Sequence, residues 1–171
     1  MIRAATMEDA PAVCRIYNHY IEHTCVTFEE IPVTVTDMEN RIRKVTEKYP
    51  WLIYEEKDLV LGYSFANAWK DRTAYRYCAE SSVYLSHDAT GRGVGRSLYS
   101  ILLSELAAQG VHSVIGGIAQ PNPASVALHE KLGFKKVAHF REVGRKFDQW
   151  IDVGYWELTP LIVVKSHDEQ I

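Results

Sequence analysis

Apolar residues recur at two different periods along this chain, and the periods predict alternating helices and strands. Two early segments repeat apolar residues at helical spacing: Val13, Ile16, Tyr17, Tyr20 and Ile21 in the first, and Met38, Ile42, Val45 and Tyr49 in the second. Thr6 stands three residues before Asp9, and Thr36 three residues before Glu39, which is the spacing of capping boxes at helix starts. Pro50 is expected to end the second helix.

Runs rich in β-branched and aromatic residues, bounded by turn residues, predict the strands, which are 2–5, 51–55, 60–69, 80–86, 112–119, 134–141 and 151–158. A third helix is predicted from the glycine-rich turn at 91–96 to Gly110, and a fourth from Asn122 to Gly133. The order β-α-α-β-β-β-α-β-α-β-β indicates an α/β fold, a mixed sheet with helices on both faces.

Composition and net charge limit the classes of protein to which this chain can belong. The chain has 171 residues, of which 47% are hydrophobic and 24% charged, as in an ordinary soluble domain. We expect one domain over residues 1–164 and a frayed tail over residues 165–171. A net charge of -3 argues against a general nucleic-acid or membrane-surface binder. The first residues do not look like a signal peptide, and no apolar run approaches the length of a membrane span. Three scattered cysteines indicate neither a disulfide framework nor a metal site, so a cytoplasmic protein is expected.

The sharpest local signal is the turn Gly91-Arg92-Gly93-Val94-Gly95-Arg96-Ser97 between a strand and a helix. Glycines are costly at a helix start unless the backbone must bend tightly or approach a ligand closely. Free N–H groups, the helix dipole and two arginines would together attract a pyrophosphate. The sequence lacks both the Walker loop and the G-x-G-x-x-G fingerprint. A tight turn without a ligand remains the alternative.

The same turn resembles the acetyl-CoA motif of the GNAT N-acyltransferase superfamily, Gln/Arg-x-x-Gly-x-Gly/Ala. Gly93 and Gly95 match it, whereas Thr90 departs from the usual Gln or Arg. The segment from Asn122 to Phe134 resembles the later motif of that superfamily. Further stretches resemble its phosphinothricin and methionine sulfoximine acetyltransferase subfamily, and these are 16–19, 27–28, 75–77, 79–84, 128–130 and 150–154.

The resemblance implies a mostly antiparallel sheet whose fourth and fifth strands splay apart to bind acetyl-CoA, with no metal. The implied cofactor-binding residues are Val83, Tyr84, Leu85, Gly91, Arg92, Gly93, Val94, Gly95, Arg96, Ser97, Asn122, Ser125 and Lys131. The strand residues would offer backbone groups to the pantetheine amides. Asn122 is equally well explained as a helix N-cap.

The resemblance also implies the catalytic groups. Glu80 takes the position of the general base that deprotonates the acceptor amine, a role that a carboxylate beside the thioester can fill. His129 stands where many members of the superfamily have a tyrosine that protonates the departing thiolate. A buried, hydrogen-bonded histidine is the alternative for His129. Cys78 is a weak candidate for a covalent route, because a lone cysteine is usually a small hydrophobic residue.

The expected substrates are small amino-acid-like amines, namely L-phosphinothricin, L-methionine sulfoximine or L-methionine sulfone, whose acetylation would detoxify them and confer resistance. Their candidate contacts are Phe28, Glu29, Arg72, Tyr75, Arg76 and Tyr77, of which Arg76 is expected to bind the carboxylate. A solvated charged loop is the alternative for these residues.

Other functions stay open at this point. The chemistry could act on a polyamine, an aminoglycoside or a protein N-terminus, or the fold could bind acyl-CoA without turnover. The resemblance implies a homodimer to which the charged, tryptophan-containing segment 141–156 contributes, although core packing also explains the tryptophans.

Overall fold

The alternating pattern folds into one sheet with four helices, and a computed structural model describes residues 1–161 of the chain. The strands are β1 (Ile2–Ala4), β2 (Trp51–Glu56), β3 (Leu59–Ala68), β4 (Cys78–Leu85), β5 (Ser113–Ala119), β6 (Lys135–Lys146) and β7 (Gln149–Leu158). The helices are α1 (Ala10–His23), α2 (Val35–Thr46), α3 (Val94–Ala108) and α4 (Pro123–Lys131). The end of the predicted domain at residue 164 and the predicted tail 165–171 lie outside the described residues.

The seven strands form one sheet in the order β1-β2-β3-β4-β5-β7-β6. Every neighbouring pair is antiparallel except β4 and β5, which run parallel. These two strands pair over three positions, the last joining Glu80 to Ile115. Both strands continue beyond that pair, so they diverge there, which confirms the predicted fold class and the splayed strands.

Alternation along the strands supplies two apolar cores, one on each face of the sheet. Trp51 and Ile53 of β2 pack with α1 and α2, whereas Leu52 packs on the opposite face with α3. The order of helices and strands is therefore the predicted one, with helices on both faces. Within residues 1–161, no helix combines the length and apolarity needed to cross a membrane.

Both ends of α2 differ from the prediction, because the helix begins at Val35 and ends at Thr46, before Pro50. The N-cap is Thr34, whose hydroxyl accepts from the N–H of Asp37 at 3.1 Å while the Asp37 carboxylate accepts from the N–H of Thr34. The capping box predicted at Thr36 and Glu39 is therefore wrong by two residues. Both threonines precede an acidic residue at the correct spacing, so sequence spacing alone cannot choose between them.

The last two strands are longer than predicted and form a hairpin that continues to a turn at Phe147 and Asp148, both with positive φ. The register of β6 against β7 shifts between Phe140 and Gly144, where Glu142 has a φ of 51°. A bulge of this kind breaks the alternation of apolar and polar positions. The segment after residue 141 therefore does not show the pattern of a strand in the sequence.

Candidate functional site

A cavity of about 670 Å³ lies on the sheet face that α1 and α2 cover. Its walls come from α1, the loop after α1, α2 and the adjacent strands β2, β3 and β4. The residues around it include Tyr17, Glu29, Arg41, Lys44, Lys48, Trp51, Phe65, Asn67, Asp71, Glu80, Ser82 and Tyr84. Aromatic rings therefore form much of the floor, and charged side chains of both signs surround it.

Glu80 lies where this cavity meets the divergence of β4 and β5. It is the last residue of β4 that pairs with β5, and its side chain lines the cavity. A Cβ atom on Gly117 of β5 would stand 3.4 Å from Oε1 of Glu80, so the carboxylate lies over the backbone of β5. Burial raises the pKa of Glu80, and the positive charge of Lys70 partly opposes the rise. Such a carboxylate can take up a proton more readily than an exposed one.

His129 occupies the opposite face of the sheet at almost the same level. A Cβ atom on Gly116 would overlap its imidazole, whereas Gly117 faces Glu80. His129 is 3% exposed, and burial lowers its pKa, so the ring is neutral. Nδ1 lies 2.8 Å from the carbonyl oxygen of Ser125 and therefore carries the hydrogen. This is the buried, hydrogen-bonded alternative, and a catalytic role for His129 stays a prediction.

A buried hydroxyl chain connects His129 to β4, and the sequence did not indicate it. Because Nδ1 carries the hydrogen, Nε2 accepts from the hydroxyl of Tyr99 at 3.1 Å. The Tyr99 oxygen lies 3.1 Å from Oγ of Ser81, the residue after Glu80. Ser81 also donates to the carbonyl oxygen of Ile115 at 3.4 Å, across the point where the strands part. The chain therefore braces the divergence from the α3 side.

The backbone of β4 beyond Glu80 has a free edge. Ser86 N–H donates to Leu61 at 2.8 Å, and by antiparallel alternation the backbone groups of Tyr84 also face β3. Those of Val83 and Leu85 face the divergence instead. The Tyr20 hydroxyl donates to the carbonyl oxygen of Leu85 at 2.8 Å. Among the predicted strand residues, Val83 therefore presents the open pair of backbone groups, while the Tyr84 side chain lines the cavity.

The glycine-rich turn leads into α3 through two glycines in the left-handed region. Gly91 and Gly93 have φ values of 73° and 81°, and Gly93 is the N-cap of the 15-residue helix α3. A Cβ atom on either would meet no atom within 4 Å, so open space surrounds the turn. The exposed side chains of Arg92 and Arg96 flank it, and Arg92 pairs with Glu56. The first turn of α3 carries Val94, Gly95 and Ser97.

The predicted cofactor residues on α4 have more ordinary roles in the chain itself. The Asn122 side chain accepts from the N–H of Ser125 at 3.1 Å, which makes it the helix N-cap. Ser125 receives the imidazole hydrogen of His129, and the Lys131 side chain is exposed. Their contacts with a cofactor stay predictions.

Of the predicted acceptor-binding residues, Glu29 lines the cavity and Phe28 lies beside it in sequence at 41% exposure. Arg41 of α2 binds the Glu29 carboxylate through two hydrogen bonds of 2.7 and 2.9 Å, and the Tyr17 hydroxyl donates to it at 2.8 Å. Arg41 thereby holds the pKa of Glu29 below its usual range. Sequence reasoning missed Arg41, which looks like an ordinary surface residue of an amphipathic helix.

In the loop before β4, Asp71 lines the cavity, but the predicted acceptor-binding residues do not. Those four residues are exposed, and they are Arg72, Tyr75, Arg76 and Tyr77. The Arg76 guanidinium lies 4.4 Å from the centre of the Tyr77 ring. The arginine that the structure brings to the cavity is therefore Arg41, and the role of Arg76 in binding a carboxylate stays a prediction.

Covalent catalysis by Cys78 and metal binding are the two other kinds of chemistry that the residues could support. Burial raises the pKa of Cys78, which keeps it a thiol and weakens it as a nucleophile. Across residues 1–161, no group of three His, Cys, Asp or Glu side chains is arranged to hold a metal ion.

Comparison with known proteins places these features in a family. Residues 2–154 match the family model described as an acetyltransferase (GNAT) domain. The chain is 42% identical to a phosphinothricin N-acetyltransferase of Streptomyces viridochromogenes over 91% of this chain and 85% of the other. It is 36% identical to an L-methionine sulfoximine/L-methionine sulfone acetyltransferase of Salmonella typhimurium, over 92% of each chain. A phosphinothricin acetyltransferase of Sinorhizobium meliloti in complex with AcCoA superposes with a TM-score of 0.91 at 33% identity, covering 94% of this chain and 88% of that one.

Proposed function

This chain belongs to the GNAT acetyltransferase family and is an acetyl-CoA-dependent N-acetyltransferase, and from that premise we propose that it acetylates the α-amine of a small amino acid with Glu80 as the general base. The observation that carries the proposal is the position of the Glu80 carboxylate. It lines the cavity of about 670 Å³ at the point where β4 and β5 part. Names of relatives supply the candidate amines, which are L-phosphinothricin, L-methionine sulfoximine and L-methionine sulfone.

The residues present fit acetyl-CoA. The open backbone groups of Val83 can pair with pantetheine amides, and the turn at Gly93 has free space for a pyrophosphate between two arginines. Bound there, acetyl-CoA supplies an acetyl group activated as a thioester. These assignments rest on the divergence of the strands and on the glycine φ values.

Glu80 removes the proton that prevents an ammonium group from attacking a carbonyl carbon. Its raised pKa suits this step, because a base works best when its pKa approaches the working pH. A backbone N–H group of β4 at the divergence would stabilise the negative charge that develops on the carbonyl oxygen. The ammonium group loses two protons in all: Glu80 would take one, and the other would end on the sulfur that leaves as the new C–N bond replaces the C–S bond.

Charged groups around the cavity support an amino-acid acceptor. Arg41 offers a guanidinium that is already oriented by Glu29, and an α-carboxylate is a ligand that guanidinium groups bind well. Lys44 and Lys48 add positive charge along the same face of α2. The cavity is also lined by four carboxylates, those of Glu29, Glu47, Asp71 and Glu80. The preference for an amino acid over a polyamine therefore rests on the Arg41 guanidinium and on the acceptors named for the relatives.

The test is release of the CoA thiol from acetyl-CoA with each of the three named amines, against a blank without amine. We expect saturable turnover with at least one of them, and none with spermidine at the same concentration. The D-enantiomer of the active amine is the matched control, because it has the same charge and composition. Turnover of spermidine alone would contradict the amino-acid proposal and leave the acetyltransfer chemistry in place.

We also propose that the protein is a cytoplasmic homodimer that confers resistance to the toxic amino acids it acetylates. The β6–β7 hairpin, at the edge of the sheet, exposes five large apolar side chains, Val137, Phe140, Val143, Phe147 and Trp150. An apolar edge of this size is typical of a contact surface. Sedimentation analysis is expected to give twice the chain mass, and Trp150→Glu to reduce it; a monomer at all concentrations would contradict the dimer.

A further inference from the structure

Lys146 is a charged side chain that the reaction described above does not use, and it is almost completely buried. It ends β6 with 1% of its surface exposed. Its ammonium donates to the backbone carbonyl of Thr27, 119 residues away in sequence, at 2.9 Å. Burial lowers the pKa of Lys146, while the charges of Glu29 and Glu30 oppose that shift. Burying a charged lysine costs free energy. Lys146 lies outside the two apolar clusters, so packing in the core does not explain its burial.

The carbonyl that Lys146 binds belongs to the loop that carries Glu29 to the cavity. On its other side the loop is held by α1, since the Thr27 hydroxyl lies 2.9 Å from the hydroxyl of Tyr17. Tyr17 in turn donates to Glu29, which Arg41 binds. Two sets of hydrogen bonds, one on each side of Thr27, therefore connect the end of β6 to the wall of the cavity.

A second contact joins the same two segments. A Cβ atom on Gly144, two residues before Lys146, would overlap the ring of Phe28. The hairpin backbone thus lies directly against the Phe28 ring, and a side chain at position 144 would have to displace that ring. Phe28 packs against the hairpin while 41% of its surface remains exposed beside Glu29.

We propose that Lys146 is a positioning residue that fixes the loop of residues 24–30 to the β6–β7 hairpin, so that Phe28 and Glu29 form a preformed wall of the acceptor site. This inference rests on the proposed function in one respect, that the acceptor binds in the cavity at Glu80. A preformed wall lowers the ordering cost that the acceptor would otherwise bear on binding. The turn before α3, to which acetyl-CoA is assigned, contributes no residue to the cavity.

Lys146→Met tests the role, because methionine keeps an unbranched apolar stem and removes the ammonium. The KM of the acceptor is expected to rise about fivefold or more, while kcat and the KM of acetyl-CoA change by less than about twofold. Amide hydrogen exchange over residues 24–30 is expected to become about tenfold faster, with α3 unchanged. Arg145→Met is the matched control, since it removes an exposed cation from the neighbouring position and should change neither quantity.

The two measurements separate failure of this inference from failure of the proposed function. Unchanged exchange over residues 24–30 in Lys146→Met overturns the tether, whether or not any amine is a substrate. If exchange over residues 24–30 becomes faster but the KM of the acceptor does not change, the role of Lys146 in acceptor binding is overturned. If the wild-type protein acetylates none of the amines, the proposed function fails, and hydrogen exchange still decides the tether.

Gly144→Ala provides a second route if Lys146→Met does not fold. The added methyl group must displace the Phe28 ring, so it disturbs the same wall and leaves the ammonium in place. A rise in the acceptor KM in this variant, with that of acetyl-CoA unchanged, supports the proposal. An unchanged acceptor KM overturns it.

Discussion

Glu80→Gln is expected to lower kcat by about 10²- to 10⁴-fold, the usual contribution of a general base. Glutamine has nearly the same shape as glutamate, so it preserves the packing over Gly117 and cannot take up the amine proton. Burial raises the pKa of Glu80, which means that the fold favours the neutral form of this side chain. Replacing it by a neutral amide should therefore not destabilise the protein at neutral pH. Affinity for acetyl-CoA, measured by calorimetric titration, is expected to stay within about twofold.

The pH dependence of kcat/KM is an independent test of the role of Glu80. Only the ionised carboxylate accepts a proton, so kcat/KM of the wild-type protein should fall as the pH drops through the pKa of Glu80. Because that pKa is raised, the fall should begin at a higher pH than for an ordinary glutamate. Glu80→Gln should lose this acidic limb.

Glu105→Gln is the matched control for Glu80. Burial also raises the pKa of Glu105, which lies on α3 and does not line the cavity. This variant should keep wild-type turnover and its pH profile. Turnover above about half of the wild-type value in Glu80→Gln would remove Glu80 from the proton transfer and leave water as the base.

Gly93→Val is expected to raise the KM of acetyl-CoA about 10- to 100-fold. A β-branched residue cannot easily hold a φ of 81°, so the turn must change and the direction of its N–H groups must change with it. Hydrogen bonds to charged groups contribute about 1.5–3 kcal/mol each, and losing one such bond corresponds to this range of affinity. The KM of the acceptor, measured at saturating acetyl-CoA, is expected to change little.

Gly110→Val is a control with nearly the same local strain. Gly110 follows the other end of α3, has a φ of 82°, and likewise has no atom within 4 Å of an added Cβ. Both variants should lose similar stability in thermal unfolding, because the backbone cost is the same. Only Gly93→Val should weaken acetyl-CoA. Equal effects of the two variants on the KM of acetyl-CoA would contradict a role for the turn at residue 93 in binding the cofactor.

Much of the fold follows from local sequence signals. Apolar periods, caps and glycines predicted the order of helices and strands, and the family resemblance predicted that β4 and β5 diverge. The β6–β7 hairpin was predicted too short, because the bulge before Gly144 interrupts the strand period. Where α2 begins depended on a choice between Thr34 and Thr36, which only the packing of the whole helix decides.

The residues of the candidate site also differ in whether local sequence could predict them. Glu80 and the glycine-rich turn could be found because each belongs to a short contiguous motif. Arg41 and Lys146 could not, since their partners lie 12 and 119 residues away and neither residue belongs to a motif. For His129 the sequence left a catalytic role and a buried, hydrogen-bonded role open; the structure shows the hydrogen bonds, and the catalytic role stays a prediction.

Because β4 and β5 diverge, the stability of the protein is also expected to depend on the concentration of acetyl-CoA. Backbone groups at Val83 face a gap that another strand would fill in an uninterrupted sheet, so a cofactor bound at the proposed site would complete the sheet as well as take part in the reaction. A ligand that binds only the folded chain, at one hundred times its dissociation constant, adds about 2.7 kcal/mol of stability. When acetyl-CoA is scarce, the chain opens more often and becomes easier to proteolyse. The amount of enzyme should therefore follow the supply of the acetyl donor without any regulator of its synthesis.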